Sequence, residues 1–267
     1  MTPAEESRTT PADQPAPASQ VEAGQAAPEP GAGGLSLLTA VAGAVLLTVL
    51  IASLDETYES VQEHDGLARV DQPLLDWMVG HRSPGLDGVV SFFTDIGGTT
   101  VLPILVTLVV AGLAWWWRSW TPIVLMAVAA AGSIAMTEAG KDLAGRARPP
   151  QALAVPPYET SPSFPSGHTL NSTVIAIVLA YLVLLHVKSR TGRVVTVSLL
   201  ALYAVAMGLS RVFLGHHWLT DVIFAWLIGL AWLALLITAH RIFLIVRDKR
   251  RTRAAATGAA AEVERPR

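Results

Sequence analysis

Apolar runs of about 20 residues, the length that carries a helix across a bilayer's hydrocarbon core, recur along this chain and constrain its fold above all else. Inside such a core every backbone N–H and C=O must be satisfied within the segment, so each run is expected to become a helix. Six spans are read, at roughly 35–54, 99–117, 121–139, 169–186, 194–214 and 219–239. Composition agrees, with 52% hydrophobic and only 15% charged residues, where a soluble domain carries about 25% charged. The expected fold class is therefore all-α, an integral membrane bundle of six transmembrane helices. The chain has no cysteine, which excludes disulfides, thiolate catalysis and Cys-ligated metal or iron–sulfur sites. A net charge of -2 offers nucleic acid no general attraction.

Residues 1–34 are a different regime, rich in Ala, Pro, Gly, Ser and Glu, and are expected to be a disordered tail. Arg8 is the lone basic residue before the first apolar run, so that run reads as an anchor and not as a cleaved signal peptide. The expected domain organisation is a tail over 1–34, a six-span domain over 35–246, and a basic tail over 247–267 expected to be disordered. Arg118, then Lys188, Arg190 and Arg193, then the 247–253 cluster fall on one side, which the excess of basic residues in cytoplasmic loops makes the cytoplasm. The other side receives Asp55, Glu56, Glu59, Glu63, Asp65, Asp71, Asp76, Asp87 and Asp95 against Arg69 and Arg82. Both termini are then cytoplasmic, and loops 55–98, 140–168 and 214–218 face outward. Within 55–98, apolar residues at helical spacing (Leu86, Val89, Val90, Phe93) predict interfacial amphipathic helices, a candidate lipid gate.

The polar residues of that outer face carry the chemistry. Lys141 and Arg148 are seven apart, so both point one way if the helix persists. Pro165-Ser166-Gly167-His168 opens the fourth span, Ser210-Arg211 closes the fifth, and His217 and Asp221 open the sixth. Lys141, Arg148 and Arg211 suit the oxygens of a phosphoryl group, the arginines through paired hydrogen bonds. Ser166 and Gly167 precede a helix start, where free N–H groups and the helix dipole favour an anion. His217 and Asp221 are one helical turn apart, so the carboxylate can hold one ring N–H and leave the other nitrogen as a nucleophile. His168 is then free to protonate the leaving oxygen. Phosphoryl transfer needs mainly positioning and charge neutralisation, and this set supplies both.

Lys141-x6-Arg148-Pro149, Pro165-Ser166-Gly167-His168 and Ser210-Arg211-x5-His217-x3-Asp221 resemble the three signature motifs of the type 2 phosphatidic acid phosphatase superfamily. The similarity extends over about residues 70–240, with core motifs at 141–221. It implies a cofactor-free, metal-independent phosphatase at the outer face of a bacterial plasma membrane, acting through a phosphohistidine. By that resemblance His217 is the nucleophile, Asp221 its orienting partner and His168 the general acid, while Lys141, Arg148, Ser166, Gly167 and Arg211 bind phosphate. The substrate expected first is undecaprenyl pyrophosphate, then phosphatidylglycerol phosphate, phosphatidic acid and other lipid phosphates. A phosphotransferase using the same phosphohistidine is the alternative, and a lipid transporter or binding protein the rival of another class. Transport predicts ionisable residues spread through the bilayer and repeat symmetry; here the polar set gathers at one boundary.

Taken singly, these residues have plainer readings: an interfacial lysine, a turn with a cap, a hydrogen bond at a helix start. Their joint order at span ends on one side is what points to chemistry. Of the remainder, His216 is read as interfacial, Glu138 and Asp142 as structural ion pairs, and Arg146 as a headgroup contact. His64, His81, His186 and His240 lack ligand spacing. The eight tryptophans suit an interfacial belt.

Overall fold

A computed structural model describes the backbone of residues 32–263 and the side chains of residue 43 and of 45–252. The expected disorder of the N-terminal tail therefore falls almost wholly outside the described residues. The chain divides into two compact units, 1–43 and 44–267, and of the first only the helical backbone from Ala32 is described.

Among the described residues regular structure is entirely helical: α1 Ala32–Glu63, α2 Asp71–Gly80, α3 Pro84–Ile96, α4 Val101–Trp117, α5 Thr121–Ala144, α6 Gly167–Leu184, α7 Arg190–Phe213 and α8 Leu219–Val263. The sequence explains the boundaries. Ser83 caps α3, its hydroxyl accepting from the Leu86 N–H at 3.3 Å, with Pro84 in the first turn where a missing N–H costs nothing. Ser189 caps α7 in the same way, accepting from Gly192 N–H at 3.1 Å.

Among the described residues four helices are long and apolar enough to cross a membrane: Thr121–Ala144, Gly167–Leu184, Arg190–Phe213 and the Leu219–Thr252 part of α8. A fifth crossing results if α3 and α4, bent by 48° at a short break, count together. The expected spans from residue 121 onward thus coincide with α5 to α8, while the one expected at 99–117 falls on α4, which is long enough only together with α3. The expected first span, 35–54, lies within α1, and many of its side chains are outside the described set. The 55–98 stretch forms α2 and α3 after the end of α1, helical as its periodicity implied.

The bundle core is built around α6, which packs on α5, α7 and α8. Leu170, Val174, Val178 and Leu182 of α6 meet Leu125, Met126 and Ala129 of α5 and Ala225 and Leu233 of α8. Outward, Leu108, Trp115, Trp116, Leu199, Leu202, Leu235 and Phe243 stay exposed, a surface suited to hydrocarbon and not to water. One glycine sets a close approach: a Cβ at Gly140 would lie 2.5 Å from Pro165 Cδ, so α5 can meet the loop before α6 only with no side chain there.

One boundary differs from expectation. The last helix does not end near 246 in a disordered basic tail; α8 continues through the basic run to Val263. Lys, Arg and Ala have high helix propensity and the run contains no proline before Pro266, so an established helix extends at little cost.

Candidate active site

Four structural breaks bring the candidate residues together. Helix α5 carries Lys141 in its last turn and stops at Ala144, because Gly145 at φ 54° turns the chain out of the helix while its N–H caps Lys141 O at 3.0 Å. Lys141 and Arg148 therefore do not share a helical face, as their spacing suggested. They meet instead on Ser161, whose hydroxyl lies 3.1 Å from Lys141 Nζ and 3.2 Å from Arg148 Nη2. Helix α6 starts at Gly167 behind the buried Ser166. After α7, Gly215 at φ 74° turns the chain so that the His216 and His217 N–H groups both donate to Arg211 O, at 3.0 and 3.3 Å. A Cβ at Gly215 would also collide with Leu153 O. At the start of α8, Asp221 Oδ2 accepts from Trp218 N–H at 2.9 Å, so this carboxylate caps its own helix.

His217 and Asp221 are 1% and 0% exposed, with His217 Nδ1 3.4 Å from Asp221 Oδ2. Ser163 Oγ donates to the same Oδ2, and Arg146 Nη1 pairs with Oδ1. A carboxylate holding Nδ1–H leaves Nε2 with its lone pair, and Arg148 Nη1 lies 3.1 Å from that nitrogen. Burial, joined by Arg148 and Arg211, pulls His217 below the ordinary histidine range despite Asp221, so its ring is neutral at pH 7.

Across from His217, Glu159 joins the two other cations. Its Oε2 is 2.7 Å from Arg148 Nη2, and its Oε1 pairs with Arg211 Nη2. Burial alone would raise this carboxyl, but Arg211, His217 and Arg148 outweigh it and hold it down to about 2. Burial lowers Arg148, with Glu159 and Asp221 opposing that drop. Arg148 also donates from Nε to Ser161 O at 2.7 Å and from Nη1 to His216 O at 2.7 Å, which fixes its fork.

A cavity of about 850 Å³ opens onto this cluster. Lys141, Arg148, Glu159, Gly167, His168 and His217 line its polar end; Val106, Val110, Met126, Ala130 and Ile175 line the rest. A smaller cavity of about 330 Å³ adjoins it, lined by Arg211 and His216, and shares Glu159 and His168 with the larger one. The His168 ring makes no hydrogen bond among the described residues. Ser166 is buried, its hydroxyl accepts from that of Thr169 at 2.8 Å, and it lines neither cavity.

The structure thus assembles Lys141, Arg148, Gly167, His168, Arg211 and His217 at one place, with Asp221 behind His217 and Ser166 beneath the helix start. Three expectations change. Arg146 is no headgroup contact: it bridges Asp221 and Asp71, the latter at 2.8 Å, because two buried carboxylates need a fork with two faces. His216 is buried, not interfacial, with Nε2 2.7 Å from Val155 O. Glu138 lines the larger cavity, and neither it nor Asp142 forms an ion pair among the described residues. Sequence reasoning passed over Glu159, Ser161 and Ser163, which lie in an irregular loop with no periodic signal, and it noted Asp71 as one of the outer-face acids and in the Asp-x-Pro-Leu-Leu stretch of the family resemblance, with no role in the site.

A family model of the PAP2 superfamily matches residues 122–244. Phosphatidylglycerophosphatase B of Bacillus subtilis (strain 168) is 31% identical over 150 residues, 56% of this chain and 72% of that protein. Among solved structures, a transmembrane PAP2 type phosphatidylglycerolphosphate phosphatase from Bacillus subtilis superposes with a TM-score of 0.67 at 25% identity, covering 73% of this chain and 96% of that one. LpxE of Aquifex aeolicus shares the fold, with a TM-score of 0.51 at 23% identity over 63% of this chain and 95% of that one.

Proposed function

The chain belongs to the PAP2 superfamily and is a multi-pass membrane lipid phosphatase; from that premise we propose that it removes the terminal phosphate of phosphatidylglycerol phosphate. The name of its Bacillus subtilis relative supports this substrate over undecaprenyl pyrophosphate, which the sequence alone put first. One observation carries the chemistry: Arg148 and Arg211 already close on a single carboxylate, Glu159, with Arg148 3.1 Å from His217 Nε2. That carboxylate stands in for a phosphoryl group, and the adjoining apolar cavity offers room for acyl chains.

In the proposed reaction the phosphoryl group displaces Glu159 and is held by Arg148, Arg211 and Lys141. The helix start at Ser166 and Gly167 adds backbone N–H groups and the positive end of a helix dipole. His217 Nε2 attacks phosphorus while Asp221 steadies the ring. The P–O bond to the lipid breaks as His168 gives its proton to the leaving oxygen. His168 then takes a proton from water, whose oxygen attacks phosphorus; the P–N bond breaks and inorganic phosphate departs. Charge neutralisation falls to the cations, and no metal takes part in the reaction. Six spans, cytoplasmic termini, interfacial α2 and α3 and an outward-facing site complete the reading, from the distribution of basic residues.

The test is phosphate release by detergent-purified protein with EDTA present, comparing phosphatidylglycerol phosphate with undecaprenyl pyrophosphate, alongside His217→Ala. EDTA-resistant release, faster on the first lipid and absent in the variant, is expected. Faster turnover of undecaprenyl pyrophosphate would reverse the substrate order, loss of activity in EDTA would refute the metal-independent route, and release that appears only with an added hydroxyl acceptor would make the protein a phosphotransferase.

A further inference from the structure

The smaller cavity has a chemistry of its own. Arg211 and His216 on its wall are 2% and 5% exposed, yet Arg211 Nε and His216 Nδ1 have no hydrogen-bond partner among the described residues. Their demands are opposite. An arginine Nε can only donate. His216 Nε2 lies 2.7 Å from Val155 O, an acceptor, so Nε2 carries the proton. Nδ1 of the neutral ring is then a bare lone pair that can only accept. Burial, with Arg211 adding to it, holds His216 down to about 4, which keeps the ring neutral at working pH.

An unpaired donor and an unpaired acceptor on one wall are matched by a group that does both, and a hydroxyl does. A second phosphate would meet the Nδ1 lone pair and the carboxylates of Asp95 and Glu159, which also line the cavity. An ammonium would meet Arg211. Beside the apolar Val101 and Leu214, Ser91, Thr99 and Thr100 supply hydroxyls and Asp95 an acceptor, which suits a neutral polyol with its carbon skeleton.

The connection to the other cavity suits a headgroup. Both cavities share Gly98, Thr99, Glu159 and His168. A phosphoryl group in the place of Glu159 has its leaving oxygen beside His168, at the wall of the smaller cavity. The carbon skeleton attached to that oxygen can enter the smaller cavity, and the remaining lipid can return over Gly98 and Thr99, at the break between α3 and α4, to the apolar cavity.

We propose that the smaller cavity is the headgroup subsite, holding the polyol that links the transferred phosphate to the rest of the lipid, with Arg211 Nε and His216 Nδ1 pairing one of its hydroxyls. The proposal rests on the phosphatase reading above and sharpens it into a rule. Substrates whose leaving group carries a free hydroxyl next to the phosphate, as the glycerol of phosphatidylglycerol phosphate does, are preferred over phosphatidic acid, whose leaving diacylglycerol has none. A site built around a hydroxyl rejects the analogue that leaves its polar groups unpaired.

The experiment measures kcat/KM for phosphatidylglycerol phosphate and phosphatidic acid in mixed micelles, for the wild type, His216→Phe and Ser91→Leu. His216→Phe removes the acceptor, while Ser91→Leu narrows the cavity from its other wall and serves if the first variant fails to fold. Wild-type preference for phosphatidylglycerol phosphate should shrink at least tenfold in either variant, about 1.4 kcal/mol of discrimination, through loss on that substrate. For Ser91→Leu, activity on phosphatidic acid should change less than twofold; for His216→Phe, beside His217, the loss on phosphatidylglycerol phosphate should exceed that on phosphatidic acid at least tenfold. Equal losses on both lipids, or no loss on either, would overturn the subsite while leaving the phosphatase reading intact. A wild type that released phosphate from neither lipid would overturn that reading, and the subsite with it.

Discussion

Arg146→Gln is the sharpest probe of how this site is held. The guanidinium is 14% exposed and spans two buried carboxylates, pairing with Asp221 through Nη1 and with Asp71 through Nη2 at 2.8 Å. It also donates to Thr220 Oγ1 at 2.8 Å. Removing one partner of a buried ion pair costs about 3–5 kcal/mol, because a charge stays behind uncompensated. The lower end applies here, since each carboxylate keeps other donors: Asp71 accepts from Thr220 N–H at 2.9 Å and from its hydroxyl at 2.6 Å, and Asp221 keeps Ser163 and the Trp218 N–H. At about 2–4 °C per kcal/mol for a domain of this size, the midpoint should fall by roughly 6–12 °C. Thermal unfolding followed by the fluorescence of the eight tryptophans, in detergent, measures it. A catalytic signature separates positioning from plain instability. The charged and titratable groups around the His217 ring are Asp221, Arg146, Arg148, Arg211, Glu159, His168 and His216, with Asp71 behind Arg146. Removing one cation from that set makes the ring easier to protonate, so the acid limb of the kcat/KM profile should move to higher pH. Adding Asp71→Asn removes the orphaned carboxylate and should restore part of the midpoint without restoring the pH profile. A midpoint within 2 °C of wild type, or a double variant that loses the sum of both single losses, would refute the reasoning, because contacting charges must be non-additive.

Three further outcomes concern the other occupants of the site. Glu159→Gln removes the internal anion from between Arg148 and Arg211, so inorganic phosphate should inhibit the variant about tenfold more tightly, worth about 1.4 kcal/mol; unchanged inhibition would mean the carboxylate does not compete. The same carboxyl is held down to about 2 from its ordinary 4.5, so the stability it contributes is present above about pH 4.5 and lost as pH falls towards 2. Wild-type midpoints should therefore drop over that window more steeply than those of Glu159→Gln. Ala130→Trp fills the apolar cavity and should raise KM for a two-chain lipid phosphate several-fold while leaving a water-soluble phosphomonoester unaffected, measured by phosphate release; equal effects on both would mean the cavity does not hold acyl chains.

What could be read in advance, and what could not, divides along physical lines. The starts of α6 and α8 lay within two residues of expectation, because an apolar run bounded by small or polar residues has few ways to begin a helix. His168, Arg211 and His217 were legible for the same reason: each sits at or beside a helix end, where its neighbours in sequence are also its neighbours in space. The end of α5 was open to the same reading, since Gly145 before Arg146 is the residue a left-handed cap requires. Arg146 itself was not, because its meaning lies in Asp71, 75 residues away, and in Asp221, 75 residues the other way, partners that no local period connects. A lone arginine near a membrane surface has an ordinary reading as an anchor, and only the fold removes it. Glu159, Ser161 and Ser163 lie between Pro156 and Pro165, in a loop whose course is set by what it packs against. On the proposed reading, the reaction class resides in residues at helix ends, which the sequence displays, and substrate choice in cavity walls assembled from α3, α4 and the 151–166 loop. Two chains can share every motif residue here and still differ in the lipid they accept, so the walls around Arg211 and His216 are where members of this family should be compared.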